Sequence, residues 1–350
     1  MKREKKTFRL LACMMLSLCL LAAQVTVFAS EGGQPTAQSQ TGLPQQEDTP
    51  LEIVTMIFPG FDFARQVAGE GAQVSMLIPP GADSHSFEPS PKDLLAIQNA
   101  DLFIYTGGES DSWIERILAS MGEEAPETLR MMDVVTVLAE EHTASMQADH
   151  DHDHDTAACT DETHHHDHAH AEEMDEHVWT SPRNAIVIVD AIADKLCRIR
   201  PEAAETFRVN AAAYTAQIEE IDRAFSEIVA SSPRDLIIFG DRFPLRYFVA
   251  AYGLRYDAAF PGCSEDSEPS VRTVISLVDT VRAEGVPVVF HIEYSSQKTA
   301  RILAEETGAQ LRLFHGCHTV STEEIEAGAT YVSLMQQNVE ALKEALNGCL

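Results

Sequence analysis

Short apolar runs alternate with amphipathic stretches through the first half of the chain. The runs LEIVTMIF, AQVSMLIP and DLFIYTG have the length and the residue types of buried strands. The stretch from Pro59 to Ala68 is amphipathic, and Ser90 followed by Pro91 predicts a helix that begins with an N-cap and a first helical proline. This alternation predicts βα units on a largely parallel sheet.

A long helical pattern separates two blocks of this kind. Over residues 201–231 the apolar side chains recur at steps of three and four, namely Phe207, Ala211, Tyr214, Ile218, Ile221, Phe225 and Ile228. A single helix of this length would extend roughly 45 Å at 1.5 Å per residue. The predicted fold is therefore α/β with two lobes, each a βα-repeat with a mainly parallel sheet, joined by one long rigid helix. The predicted lobes cover residues 51–200 and 232–350.

The N-terminus has the pattern of a secretory signal peptide over residues 1–29. Five basic residues precede an apolar run from Leu10 to Phe28, and Val-Phe-Ala at its end resembles a cleavage site. A transmembrane anchor is the alternative, because the run is nearly long enough to span a bilayer. A lipid anchor is disfavoured by the positions of the early cysteines. Residues 30–50 are rich in Gly, Gln, Thr and Pro and are predicted to be a disordered tether.

Charge and cysteine content narrow the possible functions. The formal net charge of −30 argues against nucleic acid as a partner, because phosphate binding needs a basic surface. Five of the seven cysteines lie beyond residue 29, and an exported chain permits disulfides. No CxxC pair occurs, which excludes a zinc ribbon.

A histidine-rich tract lies in the middle of the chain. Ten of the fourteen histidines fall between His142 and His177, interleaved with carboxylates. Imidazole and carboxylate together bind borderline divalent metals, although a tract without fixed geometry cannot be a selective site. An expression tag and a solvated linker are the alternatives. We predict a disordered loop over residues 142–172 that binds metal with low affinity through His150, His152, His154, His164, His165, His166, His168 and His170.

The selective site is predicted at the ends of strands, where open α/β sheets bind their ligands. The candidate ligands are His85, His177, Asp241 and His315, with Glu293 and His318 in reserve. Imidazoles with one carboxylate in a near-tetrahedral site suit Zn²⁺, and a second carboxylate in place of an imidazole would favour Mn²⁺.

Two motifs resemble those of the metal-specific solute-binding proteins of ABC transporters. PPGADSHSFEPSPKDL resembles the family's proline–glycine loop with its metal-binding histidine, and DEHVWTSPRNA is similar to its second motif. The later helices match in type and order, so the resemblance extends from about Leu51 to the C-terminus. The zinc branch of the family also has a loop rich in histidine and acid between the two motifs.

The resemblance implies roles for particular residues. His85 and His177 match the first and second ligands of the family. The position of the third ligand is Arg242, which cannot bind metal as an ordinary ligand, so Asp241 is expected to replace it. The family's last ligand aligns with His315.

The same alignment places Cys263 and Cys317 on neighbouring strand-end loops. A disulfide there would close a loop of about 50 residues and stabilise the fold by roughly 4 kcal/mol. Two alternatives stay open: Cys317 as a zinc ligand, and two free thiols.

The resemblance implies a receptor outside the cytoplasmic membrane, in the periplasm or on the outer face of the cell. It would bind Zn²⁺ in the cleft between its lobes and deliver the ion to the membrane permease of an ABC importer, acting as a monomer and catalysing no reaction. The alternatives are a manganese or iron receptor of the same family and an adhesin-like lipoprotein. A secreted metallohydrolase needs an open coordination position and a general base, and the chain has no HExxH or GxSxG motif to supply them.

Overall fold

The computed structural model describes residues 49–82, 87–147, 173–263 and 268–348. The predicted signal peptide, the tether up to residue 48, His85 and the histidines from His150 to His170 lie outside the described residues. The described residues comprise the two blocks of strands and helices and the residues that connect them.

The first four strands form one parallel sheet in the order β2-β1-β3-β4. Three of them coincide with the predicted apolar runs, while the last, ETLR, is short and polar and was not predicted. The strands are β1 (Leu51–Thr55), β2 (Ala72–Met76), β3 (Leu102–Tyr105) and β4 (Glu127–Arg130).

Five α-helices lie in the described part of this half of the chain. The predicted start at Ser90 is confirmed: its hydroxyl accepts a hydrogen bond from the Asp93 N–H, the Asp93 carboxylate accepts one from the Ser90 N–H, and Pro91 is the first helical residue. The helices are α1 (Phe58–Ala68), α2 (Pro91–Gln98), α3 (Ser112–Met121), α4 (Ala144–Gln147) and α5 (Pro182–Ile199). Helix α4 lies within the segment that was predicted to be a loop.

The long helix α6 spans Ala204–Ser231, after a single 3₁₀ turn over Pro201–Ala203. Six of the seven apolar positions predicted to face the core are buried, and the seventh, Ile228, is partly buried and packs against the core. The helix packs against α1 and α5. The prediction of a long helix between the two sheets is confirmed.

The second sheet repeats the strand order of the first, as β6-β5-β7-β8, and is also parallel. Its strands are β5 (Leu236–Phe243), β6 (Arg255–Pro261), β7 (Val288–His291) and β8 (Gln310–Leu313). Its helices are α7 (Arg246–Tyr252), α8 (Val271–Glu284), α9 (Lys298–Thr307), α10 (Thr322–Glu326) and α11 (Tyr331–Asn347). In each sheet the chain order changes beside the first strand, which is where open α/β sheets bind ligands at the strands' carboxyl ends.

Asp62 connects three helices in the interior. This fully buried residue of α1 accepts hydrogen bonds from the Tyr214 hydroxyl of α6 at 2.5 Å and from the Tyr331 N–H at the start of α11 at 2.8 Å. The positive end of the α11 dipole faces the carboxylate. Asp62 therefore ties elements from both halves of the chain to the long helix.

No helix in the described ranges is both long enough and apolar enough to cross a membrane.

Candidate metal-binding site

A cavity of about 290 Å³ lies at the carboxyl ends of β5, β7 and β8. Its wall includes two of the predicted ligands, His177 and Asp241, and both reserve residues, Glu293 and His318. Residues 81 and 82, which follow β2, line it as well, so both sheets contribute to the cavity. The strand ends predicted to form the site do converge.

His177 is held in place by Asp175. Both residues are buried, and Asp175 Oδ1 lies 3.1 Å from His177 Nδ1 and accepts a hydrogen bond from the His177 N–H at 2.8 Å. The Tyr247 hydroxyl donates to the Asp175 carbonyl at 2.7 Å. A carboxylate on one imidazole nitrogen orients the ring, as carboxylates do for histidines that bind metals.

The charge state of His177 depends on its neighbours. Burial lowers the pKa of His177, but the Asp175 carboxylate and the Cys263 side chain raise it, and the net result is well above its ordinary value. A cation that binds this imidazole must therefore displace a proton.

The residues that flank the histidine-rich tract pair with each other and fix this motif. Ala139 forms an antiparallel bridge with Met174, and the Asp175 N–H donates to the Leu138 carbonyl at 2.9 Å. The incoming segment is anchored to the second sheet, since the hydroxyl groups of Thr143 and Ser145 both donate to the buried Asp257 carboxylate of β6. The position of Asp175 beside His177 thus depends on contacts with the second sheet.

His318 lies next to His177 in the cavity wall. The centroids of the two rings are 5.8 Å apart, and the indole of Trp179 contacts both, at 5.5 Å from His177 and 5.4 Å from His318. Two imidazoles bound to one tetrahedral ion at a Zn–N distance of about 2.0–2.1 Å have ring centroids roughly 5 Å apart. The separation of the two rings is thus close to the one that two imidazoles on a single ion would have.

His315 occupies a different environment. Its backbone N–H and carbonyl are both hydrogen-bonded to the Asn338 side chain, at 2.7 and 2.9 Å. The ring is buried, does not line the cavity, and its Nδ1 has no hydrogen-bond partner among the described residues. The turn after β8 thus places His318 at the cavity where the sequence had predicted His315.

The two carboxylates of the wall are already hydrogen-bonded. Asp241 accepts from the Ser295 hydroxyl at 2.7 Å and from the Ile292 N–H at 3.2 Å, and burial raises its pKa against the effect of these bonds. Glu293 accepts from the Gly316 N–H at 2.7 Å and the His318 N–H at 3.0 Å. Both shape the wall through these contacts.

A small second cavity behind the imidazoles is lined by Asp111 and Glu176 together with His177 and His318. Burial raises the pKa of Asp111 to about 6, and the Glu176 carboxylate adds to this increase while the Gly107 and Thr106 N–H groups oppose it. Carboxylates at this position favour a cation at the neighbouring imidazoles.

Within residues 49–82, 87–147, 173–263 and 268–348, no three His, Cys, Asp or Glu side chains are arranged to hold a metal ion. His85 lies outside these ranges, but Ala82, just before it in the chain, lines the cavity, and the neighbouring Gly81 N–H donates to the Thr319 hydroxyl at 2.9 Å. The described site therefore supplies two adjacent imidazoles.

The predicted disulfide is absent. Cys263 and Cys317 are free thiols: Cys317 is fully buried in the turn before His318, and Cys263 contacts the His177 side chain. The structure thus agrees with the alternative of two free thiols.

Sequence reasoning missed the supporting residues Asp175, Trp179 and Asn338. The signal for the first two was present, because both flank His177 in the motif DEHVW. Asn338 gives no such signal, since it lies within the apolar pattern of α11.

Comparison with known proteins places the chain in a family. The profile of ZnuA, described as "Zinc-uptake complex component A periplasmic", matches residues 53–345. The chain belongs to the ZnuA family. This confirms the resemblance drawn from the two motifs, and the family's periplasmic place confirms the prediction of an exported chain.

Two relatives in the ZnuA family show how the similarity is distributed. The chain is 32% identical over 300 residues to the zinc-binding lipoprotein AdcA of Streptococcus pneumoniae strain R6, covering 86% of this chain and 56% of that protein. It thus spans about half the length of the AdcA relatives. It is 29% identical over 332 residues to the high-affinity zinc uptake system protein ZnuA of Bacillus subtilis, covering 94% of this chain and 97% of that protein.

Solved structures of ZnuA-like proteins confirm the fold. The Zn(II)-bound ZnuA-like domain of S. pneumoniae AdcA has a TM-score of 0.68 and 28% identity, covering 85% of this chain and 100% of that domain. The metal-dependent lipoprotein YcdH of B. subtilis has a TM-score of 0.68 and 27% identity, covering 85% of this chain and 99% of that chain. The laminin-binding protein Lmb of Streptococcus agalactiae, at 21% identity and a TM-score of 0.67, shares the fold alone.

Proposed function

We propose that this ZnuA-family chain is an extracytoplasmic receptor that binds Zn²⁺ in the cavity and delivers it to the membrane permease of an ABC importer. The observation that carries the proposal is the pair His177 and His318, whose ring centroids lie 5.8 Å apart in the wall of one cavity. The names of AdcA and ZnuA among the relatives, and the Zn(II)-bound state of a similar structure, support zinc as the cargo.

The proposed ligands are His177, His318 and His85. His318 takes the place that the sequence had given to His315, because only His318 lines the cavity. Asp241 is hydrogen-bonded within the wall, so the fourth position is left to water. A set dominated by imidazoles favours Zn²⁺ over Mn²⁺, which prefers carboxylate and water oxygens.

Replacing each of the two candidate histidines, His318 and His315, by alanine tests this site. We expect His318→Ala to weaken zinc binding by more than about 100-fold, beyond the 10- to 100-fold effect of residues that only support a ligand. His315→Ala is the matched control, since it removes an imidazole three residues away, and it should retain one tight site. The measurement is a zinc titration in competition with a chelator, with elemental analysis of the purified mature protein.

Three results would contradict the proposal. If the wild type binds no zinc, the function is wrong. If His315→Ala loses zinc and His318→Ala keeps it, the ligand set is wrong. Equal loading with manganese would contradict the choice of metal.

The histidine-rich tract is proposed to collect zinc with low affinity or to sense its abundance. Deleting residues 148–170 is expected to lower the total number of zinc ions bound while leaving one tight site, because the cavity ligands His177 and His318 lie outside the deletion. Calorimetric titration of the deletion variant beside the full chain measures both quantities. Loss of the tight site would show that the tract itself is the site.

A further inference from the structure

Two residues with left-handed backbone conformations lie next to Glu293 and His318, which line the cavity in the loops after β7 and β8. Tyr294, with φ of 57°, directly follows Glu293, and Cys317, with φ of 56°, directly precedes His318. Side chains with a Cβ disfavour this region, and such residues persist only where the surrounding structure holds them there. The turn that presents His318 is therefore under strain.

Glu293 holds that turn from one side. One carboxylate oxygen accepts a hydrogen bond from the Gly316 N–H at 2.7 Å and the other accepts from the His318 N–H at 3.0 Å. The two bonds span Cys317, so a single side chain fixes the backbone before and after the strained residue.

The rest of the turn is held by two other elements. The indole N–H of Trp179 donates to the Gly316 carbonyl at 2.8 Å, and the Asn338 side chain bonds both backbone groups of His315. Trp179 also contacts the rings of His177 and His318. The turn is thereby connected to the segment that carries the other imidazole.

We propose that Glu293 is a positioning residue and not a metal ligand: its carboxylate holds the strained turn at Cys317 so that His318 faces His177. This inference rests on the proposed function. Without Glu293, Cys317 would relax towards negative φ, the peptide groups around it would rotate, and His318 would leave the cavity for part of the time. Apparent affinity falls in proportion to the loss of the binding-competent population.

The test combines a substitution that removes the hydrogen bonds of Glu293 with one that relieves the backbone strain at Cys317. Glu293→Gln keeps the size of the side chain but turns one acceptor into a donor facing an N–H group, and it should weaken zinc binding by about 10- to 100-fold, as is typical of residues that support a ligand. Cys317→Gly in the same chain should restore most of that affinity, because glycine adopts positive φ without steric cost.

Cys317→Ala in the Glu293→Gln background is the matched control. It removes the same buried thiol but keeps a Cβ, so it should not restore affinity. The readout is the zinc dissociation constant of the four full-length proteins, with circular dichroism to show that each is folded.

The outcomes separate the two proposals. If the wild type binds no zinc, the proposed function fails. If the wild type binds zinc but Glu293→Gln has no effect, or Cys317→Gly restores no more than Cys317→Ala, the positioning role fails while the receptor function stands.

Discussion

Lowering the pH from about 7.5 to about 5.5 is expected to weaken zinc binding by up to about 100-fold, because a proton that a metal displaces changes affinity by at most about tenfold per pH unit. The proton in question is on His177. Burial lowers its pKa, but Asp175 and Cys263 raise it well above the ordinary value, so acid protonates this imidazole in the metal-free protein and competes with zinc. Zinc dissociation constants measured against a chelator across this interval test the prediction.

The sign of the accompanying stability change is fixed by the same shift. A raised pKa in the folded state means that His177 stabilises the metal-free fold fully below its unfolded-state pKa, and that this contribution is lost as the pH rises through the folded-state value. Acid therefore favours the metal-free fold and opposes zinc. At low pH, protonation of His177 therefore promotes release of the ion and does not destabilise the fold.

Asp175→Asn is the control for this profile. The amide removes the charge that raises the pKa of His177 and leaves burial, which lowers it, so the steep part of the binding curve should move to lower pH. Affinity at high pH should fall by about 10- to 100-fold, because the ring loses its orienting carboxylate. A pH profile that is identical in the two proteins would show that His177 is not the titrating ligand.

The fold followed from the sequence where strands are apolar and helices amphipathic. The buried strand LFIY and the row of apolar residues along α6 are determined by burial alone, and burial is what a hydrophobic pattern predicts directly. Strand β4 and helix α10 were missed because they are short and polar. Their positions depend on tertiary pairing and on a capping box at Ser321, and neither contributes a hydrophobic period.

The sequence predicted which strand ends contribute to the candidate site, but it did not predict which side chain of the turn after β8 lines the cavity. His177 was marked by its motif, and the wall carboxylates by their positions after β5 and β7. The choice between His315 and His318 depends on the direction in which the turn after β8 leaves the sheet, and that direction is set by the left-handed backbone at Cys317. A cysteine gives no sequence signal for positive φ, as a glycine would.

Replacing Asp62 by alanine is expected to reduce the free energy of unfolding by about 2–5 kcal/mol, because two buried donors would lose their acceptor. These are the Tyr214 hydroxyl and the Tyr331 N–H, which both donate to Asp62 Oδ2. The loss should appear as a lower midpoint in urea with an unchanged slope, since the same surface is exposed on unfolding. The measurement uses metal-free protein, so that bound zinc does not add stability of its own.

Asp62→Asn separates the role of the hydrogen bonds from that of the charge. The asparagine carbonyl can accept from both donors, and the Gln66 amide, which donates to Asp62 Oδ1 at 3.2 Å, can turn to present its oxygen to the new amide group. Burial raises the pKa of Asp62 despite the opposing hydrogen bonds from Tyr214 and Tyr331, so the folded protein binds this proton more tightly than the unfolded chain.

Stability of the wild type should therefore fall as the pH rises through the interval above 3.8, the ordinary value of the group, and this component should be missing in Asp62→Asn. At neutral pH the asparagine variant is then expected to be at least as stable as the wild type, and far more stable than the alanine variant. If asparagine and alanine destabilise equally, the negative charge itself, facing the start of α11, is what holds the three helices together.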